Sequence, residues 1–250
     1  MSASAPGPVT VRALTTQSEF EDAVRLQKEI WGFNDIELLP VRLFIVATKV
    51  GGQAFGAFAH GRMVGFCLAI PGLKTGGTYY LHSHMLGVTP EYRDKGVGRQ
   101  LKLLQRSDAI ERGIELIEWT FDPLEIKNAY FNMERLGAIV RRYVRNQYGT
   151  TTSHLHGGLP TDRCVAEWWI QSPRVNAVLN GDITAARPET VERLPVAASI
   201  AVLRREDPKR ARHLQQDISN RFEEYFARGL AVVGVEKSAD GGVYLFGRWE

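Results

Sequence analysis

The sequence predicts a mixed α/β fold (α+β, one mixed sheet flanked by helices), and three observations carry that reading. Gln53–Ala59 and Arg62–Ile70 are strand-like runs joined by His60-Gly61, the signature of a hairpin. Ser18 to Trp31 and Gly98 to Arg112 follow the helical period. Over the first 170 residues the order reads β-α-α-β-β-β-α-β-α-β-β, a mixture of hairpins and crossover helices.

Residues 1 to about 8 are small and polar and are expected to fray. Val9–Leu14 reads as a strand. Ser18, with Glu21 three residues on, has capping-box spacing, and Phe20, Ala23, Val24, Gln27, Ile30 and Trp31 give the helix one largely apolar face. Pro40 suits the first turn of a helix over Val41–Lys49, which Gly51-Gly52 ends. After the hairpin, 71–77 reads as a loop and Tyr79–Val88 as a strand that Thr89-Pro90 stops. The helix from Gly98 closes at Gly113. Ile114–Phe121 is a strand, Glu125 to Arg135 a helix closed by Gly137, and Ala138–Tyr148 and Asp162–Ile170 two further strands.

Residues 173–197 are weak in pattern and contain three prolines, so they read as a linker. Ala198–Leu203 reads as a strand. Asp207-Pro208 starts a helix whose apolar positions run from Ala211 to Phe226, and Leu230–Glu236 with Val243–Phe246 form a last hairpin. The expected organisation is therefore a principal domain over 8–173. A linker and a small strand-helix-hairpin module follow over 174–250, packing on the core or on a partner subunit.

Composition excludes several classes. With 44% hydrophobic and 24% charged residues the chain is not intrinsically disordered. No run of about 18 apolar residues occurs, so no transmembrane helix and no membrane partner is expected. MSASAPGPVTVR lacks the basic and apolar regions of a secretory signal, and Cys67 and Cys164 lie in apolar runs, so a cytoplasmic location is expected. The net charge of +3 is too small to argue for nucleic acid. The 23 arginines against eight lysines suit a GC-rich genome, or else recognition of carboxylates or phosphates.

The stretch that carries chemistry is Leu86-Gly87-Val88-Thr89-Pro90-Glu91-Tyr92-Arg93-Asp94-Lys95-Gly96-Val97-Gly98-Arg99. A strand ends, a short basic loop with glycines follows, and a helix begins. Backbone amides at a helix start converge on an anion, which the helix dipole also favours. Gly96 and Gly98 let the backbone approach closely, and Arg93, Lys95 and Arg99 add charge, so the loop reads as a diphosphate cradle. No Gly-Lys-Ser/Thr follows, so it is not a P-loop, and Leu101 breaks the dinucleotide pattern.

Arg93-x-x-Gly96-x-Gly98 after a strand resembles motif A of the GNAT acyltransferase superfamily. Asn128-Ala129, Asn132 and Leu136-Gly137-Ala138 resemble its second signature, and Trp119–Leu124 and Asn128–Asn132 are similar to a bacterial and archaeal branch. The resemblance covers about residues 8 to 170. It implies the GNAT fold, and acetyl-CoA (or another acyl-CoA) as co-substrate with no metal. It also implies transfer of the acyl group to a primary amine of a small molecule or peptide by direct attack. Leu86 and Val88 would meet pantetheine through their backbones, as an added strand would. Arg93, Asp94, Lys95, Gly96, Val97, Gly98 and Arg99 would hold the pyrophosphate, and Asn128 and Phe131 would line the cofactor. The Val88 amide or its neighbour would polarise the thioester carbonyl.

Many members place a tyrosine four residues before the closing glycine as general acid. Here Met133 stands there, and Tyr130 lies one turn earlier. A protonated amine needs a proton acceptor. His84 and His82, at i and i+2 on one strand face, are candidates, with Glu118 and Asp122 as rivals. The catalytic set is thus His84, Tyr130 and Glu118. His154 and His156 form another His-x-His pair without visible fourth-ligand spacing. Arg141 and Arg145 are expected on one strand face and Arg142 on the other, as a solvated surface or a contact for an acceptor carboxylate. Met133 also motivates the competing reading, a non-catalytic acyl-CoA-binding module, and an O-acceptor or a longer acyl group is a third. The strands of the tail could add to a sheet edge, which allows a homodimer.

Overall fold

The computed structural model describes residues 8–149, 159–182, 187–198 and 200–249. The first residues and the His154/His156 pair lie outside them. The chain forms two units, Met1–Ile117 and Glu118–Glu250, and its class is the mixed α/β one that the sequence predicts.

In the first unit, β1 (Thr10–Ala13) leads to α1 (Gln17–Trp31) and α2 (Val41–Lys49). β2 (Gln53–Ala59), β3 (Arg62–Leu73) and β4 (Tyr79–Val88) then build an antiparallel meander in the order β1-β2-β3-β4. α3 (Val97–Glu111) follows. The β2–β3 turn has left-handed backbone at His60 (φ 49) and Gly61 (φ 73), the pair of positive φ values that suits a two-residue hairpin. β3 runs three residues further than expected, into the stretch read as a loop.

The N-cap of α1 is Thr16, not Ser18. Glu19 N donates to Thr16 Oγ1, and the Glu19 carboxylate accepts from Thr16 N in return. Both Thr16/Glu19 and Ser18/Glu21 have the box spacing. The earlier pair wins because Glu19 Oε2 also takes Thr15 N and Oε1 pairs with Arg12 at 2.6 Å. The apolar face of α1 packs Phe20, Ala23, Leu26 and Ile30 with Phe44 of α2 and Phe66 of β3 into one core. A Cβ at Gly87 of β4 would stand 2.7 Å from Trp31 and 2.8 Å from Ile30, so glycine is what lets α1 come this close. A second core joins Phe55, Cys67, Leu86 and Val88 to Val97 and Leu101 of α3.

The division falls within β5 (Leu116–Phe121), and in the second unit α4 (Ile126–Tyr130) follows and runs into a π-helical turn over Phe131–Arg135. β6 (Ile139–Val144), β7 (Arg163–Trp169), α5 (Pro173–Leu179), β8 (Glu192–Ala197), α6 (Ile200–Glu206), α7 (Pro208–Ala227), β9 (Leu230–Ser238) and β10 (Gly241–Arg248) complete it. The strand order is β5-β7-β6-β9-β10-β8. Two expectations change here. The weakly patterned stretch holds α5, capped by Ser172, and β8, paired with β10. Residues 200–206 are helical, not a strand: a short apolar run fits either period, and Arg204 completes the helix by reaching Asp122 and Glu125. Phe222, Tyr225 and Phe226 of α7 pack their rings on Phe246 of β10.

Candidate active site

β4 is where the site begins, and its pairing with β3 is irregular. Leu68 pairs with Met85 but Ala69 pairs with Ser83, so His84 is an extra residue on β4, a bulge. The bulge changes which side chains share a face. Ser83 and Leu86, three apart, both meet residues of α3, whereas Met85 joins the core under α1 and α2. The His84 imidazole is exposed along β4 with the His82 ring 5.9 Å away, and crowding by protein lowers its pKa below the ordinary 6.5. His84 is therefore mostly neutral at pH 7, the form that accepts a proton.

β4 ends at Val88, and the chain turns through Pro90–Tyr92 into the basic loop. Two positive φ values shape the loop, Asp94 at 58° and Gly96 at 79°. Gly96 caps α3 and, as a glycine, brings no side chain to the first amides of that helix. A Cβ added at Gly96 would meet nothing within 4 Å, so the glycine serves the left-handed turn and the space beside it is open. At Gly98 a Cβ would make ordinary contact with Leu86 at 3.4 Å. Arg93 Nε donates to Val88 O (3.1 Å), and Lys95 Nζ donates to Glu91 O (2.5 Å) beside the Tyr92 ring. Arg93, Asp94, Lys95 and Gly96 are exposed, Arg99 is half-buried and Val97 is buried. These features fit a diphosphate: a helix start whose cap residue has no side chain, an open face, and cations oriented by hydrogen bonds to backbone carbonyls.

α3 carries two polar residues on its buried stripe. Lys102 Nζ donates to Ser83 Oγ (2.7 Å), and Ser83 Oγ donates to Gln105 Oε1 (3.0 Å). Burial pulls the Lys102 ammonium down to about 7. Neither residue is among the candidates that the sequence motifs single out. Their signal was helical spacing, since Gly98, Leu101, Lys102, Gln105 and Ala109 fall on one stripe.

The second unit holds the other candidates. Asn128 is exposed, and Phe131 and Tyr130 are half-buried. The Tyr130 ring lies under the Lys237 ammonium, 4.0 Å from Nζ to the ring centre. Met133 is fully buried. Glu118 is buried and paired with Arg142 at 2.6 Å. Asp122 Oδ1 accepts from Leu124 N across the turn at Pro123, and Oδ2 pairs with Arg204 at 2.9 Å.

The arginine cluster differs from the expectation. Val140 pairs with Ala166 but Arg142 with Val165, so β6 bulges at Arg141. Consecutive arginines then reach the same carboxylate: Arg141 lies 2.5 Å and Arg142 3.8 Å from Glu167. Arg145 instead binds Glu223 and Asn220 of α7. Among the described residues no three His, Cys, Asp or Glu side chains gather as a metal site, and no helix is long and apolar enough to cross a membrane.

Comparisons with known proteins agree with this geometry. The model of the acetyltransferase (GNAT) family matches residues 17–137. No curated protein matches the sequence. Among solved structures the chain is similar to the ribosomal-protein-S18-alanine N-acetyltransferase of Escherichia coli. Identity is 18% and the TM-score 0.51, over 66% of this chain and 96% of that one. It is also similar to Arabidopsis thaliana NAA60 in complex with a bisubstrate analogue, at 14% identity and TM-score 0.51 over 65% and 98%. An aminoglycoside 6′-acetyltransferase of type Ii gives 18% and 0.51 over 65% and 98%. At these identities the structures speak for the fold. The family uses acetyl-CoA as its acyl donor, and the match over residues 17–137 identifies an acetyltransferase (GNAT) domain within this chain.

Proposed function

We propose that the protein transfers an acetyl group from acetyl-CoA to a primary amine of a small molecule or peptide. The observation that carries this reading is the passage from bulged β4 into the start of α3, which has no side-chain cap. Arg93, Lys95, Arg99 and the amides of 94–98 hold the diphosphate, and the backbone of Leu86 and Val88 takes the pantetheine arm. Acetyl-CoA supplies the activated acyl group. The chain's own part is to fix the donor, to hold a proton acceptor near the incoming amine, and to aim an amide of β4 at the carbonyl oxygen. His84 is the favoured acceptor because it is neutral and exposed beside the bulge. Glu118, Tyr130, Asn128 and Phe131 enter through the family resemblance. Neither cysteine is placed to act as a nucleophile, since both are fully buried.

One observation favours a second reading. Met133, buried where many relatives carry an acidic tyrosine, suits a module that binds acyl-CoA without turning it over. Two measurements decide. Calorimetry with acetyl-CoA tests the cradle, and absence of saturable binding rejects both readings. Release of free thiol across a panel of amino acids, amines and peptide N-termini tests transfer. Binding without release on any acceptor supports the module, and release that Tyr130→Phe slows makes Tyr130 the general acid. The reading includes a reducing cytoplasm and a homodimer, and a sedimentation mass of one 28.0 kDa chain rejects the dimer.

A further inference from the structure

A bulge is a weak point in a strand. The ladder fixes Ser83 against Ala69 and Met85 against Leu68, but His84 between them has no partner on β3. If the amides around His84 are to meet a ligand at a fixed place, something other than the ladder must hold the bulge.

The structure shows one such tie. Ser83, immediately before the bulge, is buried, and its hydroxyl is held from two sides by α3: Lys102 Nζ at 2.7 Å and Gln105 Oε1 at 3.0 Å. The Gln105 carbonyl accepts Gln53 Nε2 of β2 at 3.0 Å, and the same Nε2 donates to Asp108 at 2.6 Å, which extends the tie along the helix. Lys102 lies five residues from Val97, the first residue of α3, a little over one helical turn. One rigid helix thus carries both the proposed diphosphate cradle and the grip on the bulge. The amine is costly where it stands. It is only 3% exposed, and desolvation takes its pKa to about 7. A methionine would fill the same space without that cost, so packing alone does not account for lysine.

We propose that Lys102 is a positioning residue that, through Ser83, locks the β4 bulge to α3 and so sets the distance between the β4 amides and the diphosphate cradle. The inference rests on the acetyl-CoA reading above.

The test compares two ligands on Lys102→Met. Acetyl-CoA spans the cradle and β4, whereas 3′-phosphoadenosine 5′-diphosphate reaches only the cradle. By calorimetry, Lys102→Met should weaken acetyl-CoA about tenfold, the scale of one lost charged hydrogen bond. The nucleotide should bind as to the parent protein, and the melting temperature should not fall. Ser83→Ala should weaken acetyl-CoA as Lys102→Met does, and Ser83→Thr, which keeps the hydroxyl, should restore it. Hydrogen exchange should quicken in peptides covering 79–88. Unchanged acetyl-CoA affinity overturns the inference, as does equal loss for both ligands. If the parent protein binds no acetyl-CoA, the donor reading fails first. Exchange at 79–88 then still decides whether Lys102 holds the bulge, and unchanged exchange rejects it.

Discussion

Arg142 Nη2 lies 2.6 Å from Glu118 Oε1, and the pair joins a half-exposed guanidinium to a buried carboxylate. The bulge at Arg141 is what turns Arg142 toward this side of the sheet, where Glu167 is buried as well. Glu118 is thus held before any substrate arrives. A base held in this way must exchange its partner to take a proton, whereas a structural carboxylate need not.

Those two roles give opposite outcomes on substitution. Arg142→Met removes a partner of a buried carboxylate and should lower stability by about 1–3 kcal/mol. That is less than for a fully buried pair, because water already screens half of the guanidinium. Glu118→Gln keeps an acceptor for Arg142 and should fold. If Glu118 takes the amine proton, the rate of thiol release should fall about a hundredfold or more. Urea unfolding and steady-state thiol release on the two variants separate the roles, and an unimpaired Glu118→Gln enzyme assigns Glu118 to structure and the proton to His84.

The cradle makes its own prediction. Arg93→Ala removes a cation held beside β4 by Val88 O, and Gly96→Ala forces a Cβ into a left-handed turn at a cost of about 1–2 kcal/mol. Relief of that strain would re-aim the first amides of α3. Together the two changes should reduce acetyl-CoA affinity by about a hundredfold or more, with the loss shared by 3′-phosphoadenosine 5′-diphosphate. Calorimetry that finds parental affinity in the double variant would remove the loop from the binding site.

Much of this was legible from sequence because the signals were local. The bounds of β2, β4 and α2 follow from His60-Gly61, Thr89-Pro90 and Gly51-Gly52, each a turn or stop with its own backbone reason. The cradle was legible because glycine and arginine at fixed spacing after a strand have few other uses. The two bulges were not, since one extra residue in a strand leaves no mark in composition, yet they decide where His84, Arg141 and Arg142 sit. Residues 200–206 are helical although Ile200-Ala201-Val202-Leu203 suits either period, and the Arg204 contacts with Asp122 and Glu125 are not visible in the sequence. Lys102 carries no such signal, because a lysine on an apolar stripe reads as an interruption unless Ser83 stands opposite it.

Cys67 and Cys164, the two cysteines of the chain, should be inert in the folded protein. Burial pushes the Cys67 thiol up to about 12 and raises Cys164 as well, so neither offers thiolate at neutral pH. A thiol-specific chromogenic reagent should report no reaction from the native protein and two thiols after denaturation. Reaction of either cysteine at native pH would place it in a more open setting than the one described.

Glu19 should make stability depend on acid in a defined window. Its carboxylate accepts from Thr15 N and Thr16 N and pairs with Arg12, and together these lower its pKa from 4.5 to about 2, with the Thr15 bond the largest cause. A folded-state value below the unfolded one means that the unfolded chain binds the proton more readily. The stabilisation is therefore complete above 4.5 and is lost as pH falls through about 2. Glu19→Gln deletes the charge and half of the capping box, so at pH 7 it should cost about 1 kcal/mol, the worth of a cap. Below pH 3 the parent protein loses the same interaction by protonation, and the gap between the two should close. Urea unfolding of both proteins at pH 7, 4 and 2.5 would show the difference shrinking with acid, and a constant difference across that range would mean that the carboxylate's charge contributes nothing to the start of α1.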